Sequence, residues 1–455
     1  MREGGRLVVV GGVAAGMSAA SRARRLRPDV EIVVFEKGGD VSYGACLLPY
    51  FVSGLIPSRE KLVQYEADFF RNERHMDIRL NTRVTALDPV GRTVTFQGPD
   101  GGNASLSFDA LVLGTGAVAV KPPLPGIDIS GVATLRTLAD GESLRERVEL
   151  GGVGNATIVG AGYIGLEMAE ALASRGITVT VIELLPTVLP TFDPDMSELV
   201  ERELLDKGVS VRKETSVEGF EPRDGSTELG YVRASGQRLE ADLALVSVGV
   251  RPAVELASAA GVELGTTGAI KVDARQVTSE PSVLAAGDCA EATHVVTGRP
   301  VWIPLGTTAN KQGKLAGENA VGGGARFGGV AGTNIAKVFD LEVAQTGLTE
   351  RAASKEGLAA TSVRIRSLSK AHAYPGAGAV HVKLVFEPEG GRLLGGQIIG
   401  RGGGGKRIDT IATALHAKMT VRDLADVDMS YAPPFSPVWD PVAMAALQAL
   451  KKVRS

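Results

Sequence analysis

Cys46 and Cys289 are the only thiols in this 455-residue chain, and the first stands where redox chemistry is expected. It lies in Ser42-Tyr43-Gly44-Ala45-Cys46-Leu47-Leu48-Pro49-Tyr50, a few residues past an apolar run that ends in Glu36. In a doubly wound sheet the loops at the C-terminal ends of strands face the ligand crevice, so a thiol there can meet a bound cofactor. A helix starting beside it is expected to stabilise the thiolate and lower its pKa from about 8.5. No second cysteine is close in sequence, which excludes a local dithiol–disulfide cycle. Cys46 must therefore pair with an external thiol or pass through a sulfenic acid. Cys289, directly after Asp288, reads as a small residue packed at a helix start.

Two glycine turns could supply the cofactor. Gly160-Ala161-Gly162-Tyr163-Ile164-Gly165 is a complete G-x-G-x-x-G between an apolar strand and a helix. The first glycine permits the tight turn, the second admits a pyrophosphate, and the third lets helix and strand close together. The free N–H groups of the helix start then receive the anion. Glu183, about 20 residues on, can accept from both ribose hydroxyls. No arginine follows it to take a 2′-phosphate, which favours NADH, with NADPH possible. Gly11-Gly12-Val13-Ala14-Ala15-Gly16 repeats the pattern with Val13 at the second glycine position, and Glu36 repeats the ribose carboxylate. One chain with two such turns is expected to hold a permanent cofactor, FAD, at the first and a visiting NADH at the second. Asp288, after the buried run 283–287, could accept from a flavin ribityl hydroxyl, cap a helix, or both.

The elements that carry these residues follow from periodicity. Residues 7–36 and 157–183 each read as strand, glycine turn, small-residue helix and strand ending in Glu, an internal duplication of a βαβ unit. Residues 84–109 alternate apolar and polar side chains with turn signals, the pattern of antiparallel strands. The run Lys121-Pro122-Pro123-Leu124-Pro125-Gly126 reads as a domain crossing. A helix is expected near 307–320, and from about Gly329 the pattern changes to strands and loops with a late helix near 407–416. The glycines at 402–405 read as a flexible loop.

Composition sets the outer bounds. The length suggests three domains. With 44% hydrophobic and 22% charged residues and a net charge of -3, nothing calls for nucleic acid or a membrane surface as partner. The start of the chain shows no secretory pattern, and no apolar run reaches the roughly 18–20 residues of a membrane span. Two cysteines are too few for a disulfide scaffold, so a soluble cytoplasmic protein is expected. No metal site is read from the sequence.

Taken together, residues 11–20, 42–50, 160–167, 249–252, 285–291, 302–312 and 431–437 make the chain resemble the single-cysteine, FAD-dependent pyridine nucleotide–disulfide oxidoreductases. Within that family it resembles the coenzyme A disulfide reductase and NADH oxidase branch. The resemblance implies an α/β fold with two Rossmann-like dinucleotide-binding domains, for FAD and NAD, plus an α+β C-terminal dimerisation domain. The expected boundaries are 1–116 with 252–328 for FAD, 117–251 for NAD(P)H and 329–455 for dimerisation. To the two turns and their carboxylates, the cofactor set adds Lys37, Thr115, Gly116, Gly249, Gly287, Thr307 and Ala309. Cys46 matches the redox cysteine. Tyr374 and Tyr431 match tyrosines that reach that cysteine from the other chain of a homodimer.

Ser42 matches a position near bound coenzyme A, and Arg22 and Arg25 could meet its phosphates. Ala14 stands where oxygen- and peroxide-reducing members often have His, which favours a small-molecule disulfide substrate. Coenzyme A disulfide leads, with coenzyme A as substrate or as a mixed disulfide on Cys46. Leu47 replaces the family glycine after the cysteine, adding bulk that favours oxygen, peroxide or short polysulfide instead. A flavin-bearing redox sensor is the non-enzyme alternative.

Overall fold

The computed structural model describes residues 3–454; residues 1, 2 and 455, at the outer ends of the first and third expected domains, lie outside the described residues. The first glycine turn rises from a five-stranded parallel sheet ordered Val283–Ala285, Ala110–Leu113, Arg6–Val10, Glu31–Phe35, Asp77–Arg79. Its central strands are buried on both faces, as their unbroken Val/Leu/Ile runs require. The second turn rises from an equivalent parallel sheet ordered Ser210–Arg212, Thr178–Ile182, Asn155–Val159, Leu243–Val246, Val132–Ala133.

The duplication extends further than the two βαβ units. Each sheet takes an antiparallel three-stranded meander into its chain order: Arg83–Asp88, Thr93–Gln97 and Asn103–Ser107 between Asp77–Arg79 and Ala110–Leu113 in one, Val217–Pro222, Leu229–Ala234 and Gln237–Glu240 between Ser210–Arg212 and Leu243–Val246 in the other. Only the first of these was legible in the alternation of the sequence. The fifth strand of the first sheet, Val283–Ala285, comes after the whole second unit, so the second unit interrupts the first.

The helix of the first turn, Ala14–Leu26, lies along Gly306–Ala320. A Cβ on Gly313 would stand 2.2 Å from the Ala15 carbonyl oxygen, and one on Gly317 would stand 2.1 Å from that of Ala19. The two backbones meet through a stripe that only glycine fits.

The C-terminal part is α+β. An antiparallel sheet ordered Asn334–Val338, Leu341–Gly347, Leu393–Gly400, Ala379–Phe386, Thr361–Leu368 buries Leu384, Phe386 and Ile398 against Ile408–His416 and Pro441–Leu450. The glycines at 402–405 are not the free loop their composition suggests. Glu342 accepts from the N–H groups of Gly403 (2.7 Å) and Gly405 (2.6 Å), anchoring the loop to the sheet. Nor does a helix begin at Asp288 or Cys289, which lie in a turn with Cys289 fully buried. Among the described residues no helix is long and apolar enough to cross a membrane.

Candidate active site

The two glycine turns are built alike. Gly11 (φ +108°) and Gly160 (φ +101°) occupy a region that disfavours side chains, and a Cβ would meet the carbonyl oxygens of Gly114 at 2.2 Å and Ser247 at 2.6 Å. Gly16 and Gly165 close the helices onto the turns, where a Cβ would fall 1.7 Å and 2.1 Å from the carbonyl oxygens of Gly11 and Gly160. Gly162, by contrast, faces open space. The fold does not require glycine there, so the open space suits an approaching ligand, and Val13 stands at the equivalent position of the first turn.

The two strand-end carboxylates are also held alike. Glu36 accepts from Gly12 N–H (2.7 Å) and Gly38 N–H (2.7 Å); Glu183 accepts from Ala161 N–H (2.8 Å) and Leu185 N–H (2.9 Å). Each carboxylate oxygen spends one acceptor position on the backbone and keeps another for a hydroxyl group. Lys37 beside Glu36 is exposed. Gly287 (φ +82°) would bring a Cβ to 2.8 Å from that of Ala15 and 3.3 Å from that of Ala309, so these three expected residues converge.

Thr115 Oγ1 donates to the Ala253 carbonyl (2.7 Å), and Gly116 accepts from Ala253 N–H (2.9 Å), tying the first sheet to the returning chain. Thr307 is exposed in the first turn of its helix, whose first turn carries no acidic side chain. Gly249 (φ +116°) faces open space and accepts from Val120 N–H. Ile164 is half-buried beside Gly165. Asp288 is held by Arg136 (Nη2 to Oδ2, 2.6 Å), while its carbonyl accepts from Trp302 Nε1 at 2.8 Å. That ion pair, rather than a helix cap, is what the folded chain offers Asp288.

Cys46 is exposed, in a single 3-10 turn, Ala45–Leu47, leading to the five-residue helix Leu48–Val52. So short a helix carries little macrodipole, and the expected depression of the thiol is absent. The protein around its inner side desolvates the sulfur and pushes the thiol up, with Glu167 adding to the effect and Arg136 opposing it. Glu167 itself is pushed up to about 7 by burial and then by Glu170. Tyr50 is raised to about 12 by burial and by the same two carboxylates.

Gly44 and Leu47, close to Cys46 in the chain, line a cleft of about 430 Å³, of which Cys46 itself is not a lining residue. Ser42 lines it, with φ +53°, as do Leu47 and Arg25. Lys61, Arg74, Tyr65 and Phe69 complete a basic and aromatic wall. The Tyr65 and Phe69 rings stack at 4.6 Å, and the Arg74 guanidinium lies 5.5 Å from the Phe69 centroid. Arg22 turns away from this cleft to Glu318, its Nε donating at 2.9 Å. The segment 61–74 was passed over in the sequence, although its interleaving of basic and aromatic residues carried a signal.

Tyr163 opens the helix after the second glycine turn, and its hydroxyl donates to Asn334 Oδ1 on the C-terminal sheet. Tyr374 (39% exposed) and Tyr431 (49%) do not line the cleft of their own chain. They lie in the C-terminal part, which also exposes Phe435, Val438 and Trp439.

The family model for pyridine nucleotide-disulphide oxidoreductase matches residues 5–313, and that for its dimerisation domain matches residues 333–442. An NAD(P)H coenzyme A polysulfide/persulfide reductase of Pyrococcus horikoshii is 40% identical over 442 residues, 97% of each chain. An NADH oxidase of Methanocaldococcus jannaschii is 36% identical over 449 residues, 98% of this chain and 99% of that one. The solved structure of an NAD-dependent persulfide reductase from A. fulgidus superimposes with a TM-score of 0.95 at 42% identity, covering 98% of this chain and 83% of that one.

Proposed function

Because the chain belongs to the pyridine nucleotide-disulphide oxidoreductase family, whose members work with FAD and NAD(P)H, we propose that it moves electrons from NADH to the sulfur–sulfur bond of a coenzyme A-bearing substrate through Cys46. A bound FAD would supply the two-electron chemistry that links a nicotinamide hydride to sulfur. In this reading the first turn, with Glu36, Gly287 and Ala309, holds FAD, and the second turn, with Glu183, holds NADH. Tyr163 serves as a movable cover over the nicotinamide position. Thr307 and the N–H groups of its helix favour negative charge on the flavin.

The observation that carries the reading is an exposed thiol whose chain neighbours Gly44 and Leu47 line a cleft with basic and aromatic groups. Arg25, Lys61 and Arg74 suit the phosphates of coenzyme A, and the Tyr65–Phe69 stack suits its adenine. The Cys46 thiolate attacks one sulfur of the disulfide, the S–S bond breaks, and the departing thiolate takes a proton. Tyr431 of the partner subunit is the proposed proton donor, with Tyr374 of the partner subunit beside it. Both phenols lie away from the cleft of their own chain, which fits service to a second copy. Two electrons and a proton then break the mixed disulfide, restoring the Cys46 thiolate and releasing the second half of the substrate as a thiol.

Leu47 supports a second reading. It follows Cys46 in the chain and lines the cleft, and its bulk where the family has glycine favours a coenzyme A persulfide or a short polysulfide over the full disulfide. The similarity to a coenzyme A polysulfide/persulfide reductase agrees. NADH consumption measured with coenzyme A disulfide, polysulfide, peroxide and oxygen ranks these substrates. Indifference to both sulfur substrates removes the proposal. Intact-mass measurement before and after mild reduction is expected to show loss of a coenzyme A adduct wherever the mixed disulfide persists.

A further inference from the structure

We propose that Asn334 is a positioning residue of the nicotinamide site: it latches the Tyr163 cover shut from the C-terminal domain, so nicotinamide entry has to break a bond between two domains. This rests on the reading of Tyr163 as the cover and adds what holds it.

Tyr163 follows Gly162 directly, at the first position of the coenzyme helix Tyr163–Ala173. Its ring edge packs on Phe192, centroids 6.4 Å apart. A phenol in such a setting needs a hydrogen-bond partner, since an unpaired hydroxyl away from water is costly. Its hydroxyl donates to Oδ1 of Asn334, at the head of the strand Asn334–Val338. Thr191, on the coenzyme unit itself, is the other polar neighbour of the phenol.

Asn334 cannot simply turn to follow the ring. Its Nδ2 donates to the Gly332 carbonyl at 2.9 Å, which fixes the oxygen end of the amide toward Tyr163. The preceding residue is tied down as well, Thr333 Oγ1 lying 2.7 Å from Thr346 Oγ1.

The coenzyme helix is equally fixed. Two turns along it, Glu170 pairs with Lys337 and accepts from Phe339 N–H at 2.7 Å, both on the strand hairpin that carries Asn334. With helix and strand clamped at Glu170, the helix has little freedom to carry Tyr163 away. The side chain of Tyr163 must rotate by itself, and rotation costs the Asn334 bond. Closed and open positions of the ring are then a two-state element biased by one hydrogen bond, and the apparent affinity for the nicotinamide coenzyme falls by the fraction of molecules that are open.

The test uses the flavin-loaded protein with NAD⁺ as probe, its dissociation constant read by titration calorimetry, so the readout is binding and not turnover. A net hydrogen bond of ordinary strength corresponds to about fivefold. Asn334→Ala is expected to bind NAD⁺ about fivefold more tightly. Tyr163→Phe breaks the same bond from the other side and is expected to match it, with no further gain in the double variant. Stopped-flow reduction of the flavin should show the same fall in the NADH concentration for half-saturation in Asn334→Ala.

Melting temperature and flavin absorbance are followed in each variant, and Tyr163→Phe carries the test alone if Asn334→Ala loses its fold. Unchanged or weaker NAD⁺ binding in the folded single variants, or additive gains in the double variant, overturns the latch. Tyr163→Ala separates the two levels of the reading. If it binds NAD⁺ like the wild type, the cover itself is gone and the latch with it. If it alters binding while Asn334→Ala is silent, the latch alone fails.

Discussion

The helix after the first glycine turn and the helix after the second are equivalent in the duplication but are held in opposite ways. Ala14–Leu26 meets Gly306–Ala320 backbone to backbone through glycine and alanine, with Arg22 and Glu318 paired at the edge. Tyr163–Ala173 is held to the C-terminal sheet by hydrogen bonds and charge, through Asn334, Lys337 and Phe339 N–H. The next helix of that unit, Pro194–Asp206, continues the polar seam with Arg401 on Glu203 and Lys383 on Asp193 and Asp195. A close-packed seam opens only by separating backbones, whereas a hydrogen-bonded one can exchange partners with water. The first suits a resident cofactor and the second a coenzyme that comes and goes.

The polar seam breaks most severely at Lys383, which is buried among Asp193 (3.2 Å), Asp195 (2.7 Å) and Glu350 (2.6 Å). Asp193 is also buried and accepts from Gln397 Nε2 at 2.6 Å. Lys383→Ala leaves these carboxylates uncompensated and is expected to cost about 4 kcal/mol in denaturant unfolding. A loss below about 1 kcal/mol would show that water reaches the cluster freely. The dry seam breaks at Gly313. Gly313→Ala forces a methyl group against the Ala15 backbone and is expected to cost about 2–3 kcal/mol and to loosen flavin retention, seen as flavin in the filtrate after ultrafiltration. Retained flavin and unchanged stability would mean the helices separate at little cost.

The two carboxylates sharpen the comparison at the ligand level. Glu183→Ala is expected to weaken NADH binding about tenfold and leave the flavin in place, by analogy with the loss of a charged hydrogen-bond acceptor. Glu36→Ala is expected to release flavin and spare the fold of the second unit. A swap of these outcomes in flavin content and NADH titration would reverse the assignment of the two sites.

The smallest effect lies at the junction. Glu167, pushed up to about 7, gains its charge as pH rises through neutrality, and that charge opposes ionisation of Cys46. Because only the thiolate alkylates, Glu167→Gln should move the pH profile of iodoacetamide labelling of Cys46 to lower pH. A profile that stays in place separates the two groups.

What the sequence showed and what it hid divide along contact distance. The glycine turns, the carboxylates at strand ends and the thiol after the first βαβ unit are local patterns, and the folded chain presents them as spacing suggests. The second meander escaped because its strands, 217–240, alternate weakly and carry bulges. Arg22 read as a phosphate ligand because its partner, Glu318, lies on another helix far along the chain. The pairing of Arg136 with Asp288 spans 152 residues in the same way. The thiol at Cys46 was expected to be acidic from a nearby helix start; desolvation of its inner side, then the distant carboxylate of Glu167, push it the other way, and the helix beside it is too short to oppose them.

The most direct test of the central claim, that Cys46 is the one redox thiol, is an anaerobic titration of the oxidised, flavin-loaded protein with NADH, wild type against Cys46→Ser. A mixed disulfide, persulfide or sulfenic acid on Cys46 each takes up two electrons before the thiol is restored. The wild type should therefore consume one more NADH equivalent per subunit than Cys46→Ser before its flavin is fully bleached. Equal consumption by the two proteins would contradict the account.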